Sequence, residues 1–370
     1  MIPNPPPTSW LEIDLSAVAH NTRVIAQAAG VPLMAVIKSD GYGHGAVPVA
    51  ETFLKSGGLW LGVVRVEEAL VLRRAGIQAP ILLVGSLIPE QLDAAIAAQV
   101  TMAVGSLELL QAAQQRAAAL QTPALVHLKV DTGMGRLGTF PQEAGDFAAQ
   151  AQASPWVRLD GVFSHLASAG DDPVLTGLQI SRFEAAVAAV RAAGANPAWI
   201  HLSNSAAIAL VPEARFNLVR AGGILYGITQ ELPAPWIPSL RPSMTWKARL
   251  LSVKTMPAGW AVSYGARYLC SEGERIGVLP VGHGDGYRRS EDNQVLVGGQ
   301  RARVVGLNCM DLSMVSLPAP AAAGDEVVLL GRQGSQQITV EELRNRWRSS
   351  YSGVCLIHPR IPRVYFPAGD

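Results

Sequence analysis

Cysteine is scarce in this chain. Cys270, Cys309 and Cys355 are the three among 370 residues. So low and odd a number excludes a disulfide framework and fits free thiols in a reducing compartment. Charge is sparse as well: charged residues are 16% of the total and the net charge is +1. That leaves no electrostatic footprint for nucleic acid or an anionic membrane. No apolar run approaches the ~20 residues of a membrane-spanning helix. The start, Met1-Ile2-Pro3-Asn4-Pro5-Pro6-Pro7, lacks the basic and apolar segments of a signal peptide and reads as an extended tail. The expectation is a soluble cytoplasmic protein with no metal.

Apolar residues, at 49%, are abundant enough for a large core, and the length exceeds that of one typical domain. Short apolar runs alternate with alanine-rich helical segments over the first two thirds. The strand candidates are Leu33–Lys38, Trp60–Val64, Ile81–Val84, Thr101–Val104, Ala124–Val130, Leu159–Ser164, Trp199–Leu202 and Phe216–Arg220. Helices are expected between them, among them Val66–Ala75, Pro89–Ala98, Leu107–Leu120 and Leu178–Ala193. A further helix, Ser16–Ala29 with Ser16 as its N-cap, precedes the first strand. Alternation of strand and helix implies a parallel sheet, and eight units match a (β/α)8 barrel. Pro233, Pro235 and Pro238 then mark a linker. Beyond it come β-branched runs with glycine turns: Arg249–Thr255, Arg275–Val281, Gln294–Val297, Ala302–Leu307 and Glu326–Leu330, interrupted by a helix at Val340–Trp347. The expected fold is α/β, a TIM-type barrel over residues 1–235 plus a mainly-β domain over 236–370.

Barrel enzymes work at the C-terminal ends of their strands. Lys38 ends the first strand, in Ala35-Val36-Ile37-Lys38-Ser39-Asp40-Gly41-Tyr42-Gly43-His44-Gly45. An apolar neighbourhood favours the neutral amine that Schiff-base chemistry requires. A snorkelling lysine fits the local sequence equally well. Lys129 and Asp131 end the fifth strand, His165 follows the sixth, and Arg220 ends the eighth. By itself His165 reads as a structural histidine. Ser203-Asn204-Ser205 and Gly222-Gly223 lie in the loops that commonly hold phosphate in such barrels, although plain N-capping explains the first group. A lysine and a phosphate cradle in one mouth suggest pyridoxal 5′-phosphate. Gly133-Met134-Gly135-Arg136-Leu137-Gly138 fits a dinucleotide fingerprint, but Thr139-Phe140-Pro141 follows where a helix should open.

The segment around Lys38 resembles the cofactor-lysine motif of alanine racemases. The likeness covers nearly the whole chain in order. It runs through Val130–Gly138, Phe163-Ser164-His165, Asn204-Ser205-Ala206-Ala207, Val219-Arg220 to Tyr226-Gly227, Ser263-Tyr264-Gly265, Cys309-Met310-Asp311 and Ile361-Pro362-Arg363. The resemblance implies a pyridoxal-phosphate enzyme that racemises alanine and supplies D-alanine for peptidoglycan. It also implies a head-to-tail homodimer whose active sites take residues from the partner's β domain. Lys38 and the partner's Tyr264 would be the two bases. Arg220 would bond the pyridine nitrogen. Tyr42, Ser205, Gly222, Gly223 and Tyr351 would hold the phosphate, with Asn204 and His165 completing the cofactor set. Arg136 would touch the substrate carboxylate, positioned by a carbamylated Lys129. Met310 and Asp311 would line the substrate pocket.

Inverting a stereocentre needs proton removal on one face and delivery on the other, hence two bases. Three departures stand out: Ser39-Asp40-Gly41 replaces Ala-Asn-Ala, His283 replaces a gating tyrosine, and Ser352 follows Tyr351 where glutamate is usual. The first two bear on pocket polarity or access and leave a serine or broad-specificity racemase as the alternative. A non-catalytic pyridoxal-phosphate carrier resembles the barrel alone, and the β domain carrying Tyr264 argues against it. A fold-related decarboxylase is a third reading, distinguished by loss of the carboxylate.

Overall fold

The computed structural model describes residues 5–229, 232, 235–318, 320–348 and 352–367. Two compact units divide the chain. One comprises Ala17–Gly41 and Ala46–Arg241, the other the described residues of Met1–Ser16, Tyr42–Gly45 and Pro242–Asp370. Strand β1 (Ser9–Asp14) belongs to the second unit. The first unit holds β2 (Leu33–Val36), β3 (Trp60–Val63), β4 (Ile81–Leu83), β5 (Thr101–Val104), β6 (Ala124–Lys129), β7 (Val157–Phe163), β8 (Trp199–His201) and β9 (Val219–Ala221). They form one eight-stranded parallel sheet in the order β8-β7-β6-β5-β4-β3-β2-β9. This is the expected barrel, nearly closed, with helices between its strands.

The gap between β8 and β9 is bridged without a regular ladder. Asn217 donates its backbone N–H to Ile200 O at 3.2 Å, and its Oδ1 accepts from Ile200 N at 2.7 Å. The side chain stands in for a missing strand residue. Inside the barrel, Met34, Trp60, Leu82, Ala103, Phe163 and Leu218 form one buried layer. Burying a side chain of this size favours folding by about 1.5–3 kcal/mol. Gly161 of β7 lies against the ring of His127, and the β6–β7 register shifts between Val126 and His127.

Local chemistry sets the helix ends. Leu107–Leu120 matches expectation, with Ser106 Oγ accepting from Leu109 N at 3.2 Å. Pro173–Ala192 starts earlier than expected because Asp172 caps it and Pro173 occupies the first turn. Ser16 is not an N-cap. The helix is Leu15–Ala29, and the Ser16 hydroxyl instead donates to Asp14 Oδ1 at 2.5 Å.

The second unit is mainly β. Its strands are β10 (Met244–Arg249), β11 (Ser252–Met256), β12 (Ala261–Val262), β13 (Tyr268–Leu269), β14 (Glu274–Leu279), β15 (Gln294–Val297), β16 (Gln300–Val305), β17 (Ser313–Ser316), β18 (Glu326–Gln333), β19 (Gln336–Ile338) and β20 (Arg363–Phe366). The main sheet runs β11-β14-β17-β16-β15-β18-β10-β1-β20, with β19 on β18 and a separate β12–β13 hairpin. The expected single strand Arg249–Thr255 is two strands, β10 and β11. The helix Val340–Trp347 forms as expected, capped by Thr339. Among the described residues no helix is long and apolar enough to cross a membrane.

Replacing Gly161 with alanine would put a Cβ 2.6 Å from His127 Cε1. Both groups are confined inside the barrel, so Gly161→Ala is expected to destabilise by about 1–3 kcal/mol. Urea unfolding of the variant should show a lower midpoint at unchanged slope.

Candidate active site

Lys38 does not end a strand. β2 stops at Val36, Ile37 N donates to Gly62 O at 2.8 Å, and the chain then turns left-handed. Ser39, Asp40, Gly41 and Tyr42 have φ of 54°, 53°, 61° and 54°. Gly41 N closes the turn on Ile37 O at 2.9 Å. The half-buried Lys38 therefore stands at the junction of strand and turn.

Arg220, in the middle of β9, is buried. Its Nη1 donates to His201 Nδ1 at 2.9 Å and to His201 O at 3.1 Å. Its Nη2 donates to Ser164 O and Leu202 O, both at 2.8 Å, and to His165 Nδ1 at 3.3 Å. Its Nε makes no hydrogen bond among the described residues. Burial pulls the guanidinium down to about 9, which leaves it charged at neutral pH. An imidazole that accepts at Nδ1 carries its proton on Nε2. His201 Nε2 then donates to His127 Nδ1 at 3.0 Å. Burial and then Arg220 push His127 down to about 3. Burial, Arg220, Lys129, Arg136 and Lys38 all push His165 well below its usual value.

The loops after β8 and β9 meet. Ser205 Oγ accepts from Gly222 N at 2.9 Å. Asn204 caps the short helix Ser205–Leu210, its Oδ1 accepting from Ala207 N at 3.1 Å and its Nδ2 donating to Leu166 O at 3.3 Å. Gly222 has φ −104° and ψ −107°, and Gly223 opens a 3-10 turn. Ser203 Oγ is buried with no partner among the described residues.

The supposed dinucleotide fingerprint has a different job. Thr139 returns to bridge Val130, and no helix follows directly. The loop is wound on Asp131, whose Oδ1 accepts from Gly133, Met134 and Gly135 N and whose Oδ2 accepts from Arg136 N, at 2.9–3.1 Å. Burial pushes the Asp131 carboxyl up, but these donors more than offset it and hold it below its usual value. Lys129, Asp131 and Arg136 border a cavity of about 490 Å³ with Ser86, Ser106 and Phe140. The Lys129 amine lies 4.3 Å over the Phe163 ring. Burial, then Arg220 and Arg136, push it well below its usual value.

In the second unit Tyr264 opens a 3-10 turn and is 69% exposed. Its neighbour Ser263 lies 3.6 Å from Cys309 Sγ, which brings Tyr264 to the same region as Met310 and Asp311. Arg360 donates to Asp311 Oδ1 at 2.6 Å and to Asp285 Oδ1 at 2.7 Å. His283 borders a separate cavity with Arg288, Arg289, Arg346 and Trp347. Tyr42 is buried and assigned to this unit. Tyr351 lies outside the described residues. Sequence reasoning passed over His127, His201 and Glu68. Both histidines sit in strand runs, where only the polar interruption of an apolar segment marked them.

A parallel barrel with cationic and polar side chains at and just beyond its strand ends, in a chain that also carries a mainly-β unit, has the arrangement of a barrel enzyme. Residues 13–230 match the family model for the alanine racemase N-terminal domain, and residues 243–365 that for the C-terminal domain. The chain is 45% identical to an alanine racemase of Symbiobacterium thermophilum, covering 96% of this chain and 97% of the other. The solved alanine racemase of the D-cycloserine producer Streptomyces lavendulae superposes with a TM-score of 0.92 at 36% identity, covering 98% of each chain. That of Bacillus anthracis, solved with bound L-Ala-P, gives 0.94 at 31% identity, covering 100% of this chain and 97% of the other. The chain belongs to the alanine racemase family and is an isomerase of that kind.

Asp131→Ala should release the Arg136 loop. Amide exchange over residues 133–136 should quicken about tenfold or more, as expected for losing charge-assisted bonds. The folded carboxyl is held down, so wild-type protection is complete above the ordinary aspartate range. It is lost as pH falls through the folded value.

Proposed function

We propose that this enzyme interconverts L- and D-alanine by two opposed bases, Lys38 and the partner's Tyr264, around pyridoxal 5′-phosphate held at the barrel mouth. The observation that carries the reading is the donor set there. Arg220 keeps its Nε–H unused among the described residues. The Ser205 hydroxyl and the Gly222 N–H face each other in adjoining loops, and Ser203 Oγ is buried nearby in sequence without a partner among the described residues. These groups fit a pyridine nitrogen and a phosphate. When bound, the cofactor would join an amine through its aldehyde and withdraw electrons from the substrate α-carbon.

The side chains divide the remaining work. Lys38 Nζ would move a proton on one face and Tyr264 Oη on the other. Arg220 would hold its proton toward the ring nitrogen and so keep that nitrogen unprotonated, which would make the cofactor a weaker electron sink and limit side reactions. Ser205, Asn204, Tyr42, Tyr351 and the backbone of Gly222 and Gly223 would anchor the phosphate. His165 stays neutral and accepts from Arg220. Arg136 would receive the substrate carboxylate, and Met310 with Asp311 would border the small side chain. Lys129 is buried among cations, so its amine is drawn toward the neutral, nucleophilic form. Addition of that neutral amine to CO2, with one proton released to solvent, would give a carbamate whose negative charge attracts Arg136. The exposure of Tyr264, Met310 and Trp260, at 69%, 61% and 60%, supports a second copy covering this face. A cytoplasmic homodimer supplying D-alanine for the cell wall is the setting that fits.

Borohydride reduction of the loaded enzyme should fix the label on the Lys38 peptide and on no other lysine. Mixing inactive Lys38→Ala chains with inactive Tyr264→Phe chains should restore about a quarter of wild-type activity after random subunit exchange, because half the dimers then carry one intact site. No recovery after verified exchange would remove the shared site. Steady-state rates with L-alanine and L-serine decide between strict and broad specificity, and the alanine rate is expected to dominate.

A further inference from the structure

The turn after Lys38 is costly to hold. Ser39, Asp40 and Tyr42 are non-glycine residues in the left-handed region, in one continuous run with Gly41. Such conformations are disfavoured and persist where surrounding bonds over-determine them. Two carboxylates do so here. Asp40 Oδ1 accepts from Ala46 N at 2.8 Å, closing the far end of the turn. Glu68 Oε1 accepts from Ser39 N at 2.6 Å, at the residue directly after Lys38.

Glu68 stands 29 residues further along, in the first turn of the helix Val66–Arg74. Its second oxygen is also engaged: Oε2 accepts from Val64 N at 2.9 Å and from Arg65 N at 3.1 Å. One carboxylate thus ties the amide that follows the lysine to the chain leaving β3. β3 is the neighbour of β2, paired from Met34–Trp60 to Val36–Gly62. The lysine backbone is therefore fixed from both sides, by the sheet through Ile37 and by Glu68 through Ser39.

We propose that Glu68 is the positioning residue for Lys38: by holding Ser39 in its left-handed conformation, it aims the ε-amine at the reacting centre. The proposal rests on the reading that Lys38 carries the cofactor. Glu68 touches neither cofactor nor substrate in this account and acts through the backbone. A helix-capping role alone would need only Oε2. The bond from Ser39 to Oε1 is the additional fact.

Glu68→Gln separates the two roles. Its carbonyl oxygen can still accept from Val64 and Arg65, while its NH2 group then faces the Ser39 N–H, a donor against a donor. Amide exchange of the Lys38–Tyr42 peptide in the full-length holoenzyme should quicken about tenfold or more. The kcat for alanine should fall by a similar factor in both directions, with KM within about twofold and the melting temperature near that of wild type. In cofactor-stripped full-length protein, reductive methylation of Lys38 at fixed pH should proceed at an altered rate. Glu67→Gln, one position earlier, should leave all these readings unchanged.

Unchanged exchange and unchanged kcat in Glu68→Gln would overturn the proposal. So would a loss of activity matched by a loss of melting temperature, since that assigns Glu68 to the helix alone. A borohydride label away from Lys38 in the unaltered enzyme would overturn it by removing the cofactor reading beneath it. In that case quickened exchange at Ser39 would show that the clamp exists and the cofactor reading had failed.

Discussion

Burying a guanidinium whose hydrogen bonds, among the described residues, run only to carbonyls and imidazoles is the constraint on which the barrel mouth rests. Desolvating a charge of this size costs several kcal/mol even after relaxation. Arg220 recovers that cost from the carbonyl oxygens of Ser164, His201 and Leu202 and from two imidazole nitrogens. Those acceptors lie on or just beyond β7 and β8. The guanidinium reaches them from β9, across the one seam without a regular ladder, beside the Asn217–Ile200 bonds. The same side chain thus closes the barrel and presents a fixed cation at its mouth.

The titration of the site follows from burial first and from that cation second. Both keep His201 and His165 from protonating while each accepts from Arg220, and His127 takes its tautomer from His201. Phe163 stacks on His201 at 4.8 Å with an interplanar angle of 5°, and the Lys129 amine lies over the same ring. The interior is therefore a set of neutral, polarised rings under positive charge. Among the described residues no carboxylate bonds Arg220, so an anionic ligand at the mouth would meet a cation not yet neutralised.

Much of this was legible in the sequence, and the reasons for the remainder are specific. Strand and helix alternated because each buries a different periodicity, so the barrel and its order were readable. Lys38, Arg220, Asn204 and Ser205 stood out because polar residues interrupted apolar runs at expected strand ends. The conformation after Lys38 was not readable, because φ at Ser39 depends on a carboxylate 29 residues away. β1 and β20 were missed for a similar reason: each pairs with a segment remote in the chain, at Leu11–Arg363 and Ser9–Ala248. Asp131 was read as one more polar residue of the mouth, whereas it is the post around which the Arg136 loop is wound.

The left-handed turn also has a bearing on the order in which the molecule assembles. A run of left-handed residues has no local driving force, so an unfolded or partly folded chain will not adopt it. Among its bonds are those from Gly41 to Ile37, from Ala46 to Asp40 and from Ser39 to Glu68. The last of these exists only once β2 lies beside β3 and the following helix has begun. The orientation of Lys38 is then among the late products of folding. A nascent chain would carry this lysine as an ordinary exposed amine, and its fixed orientation would arrive together with the native barrel.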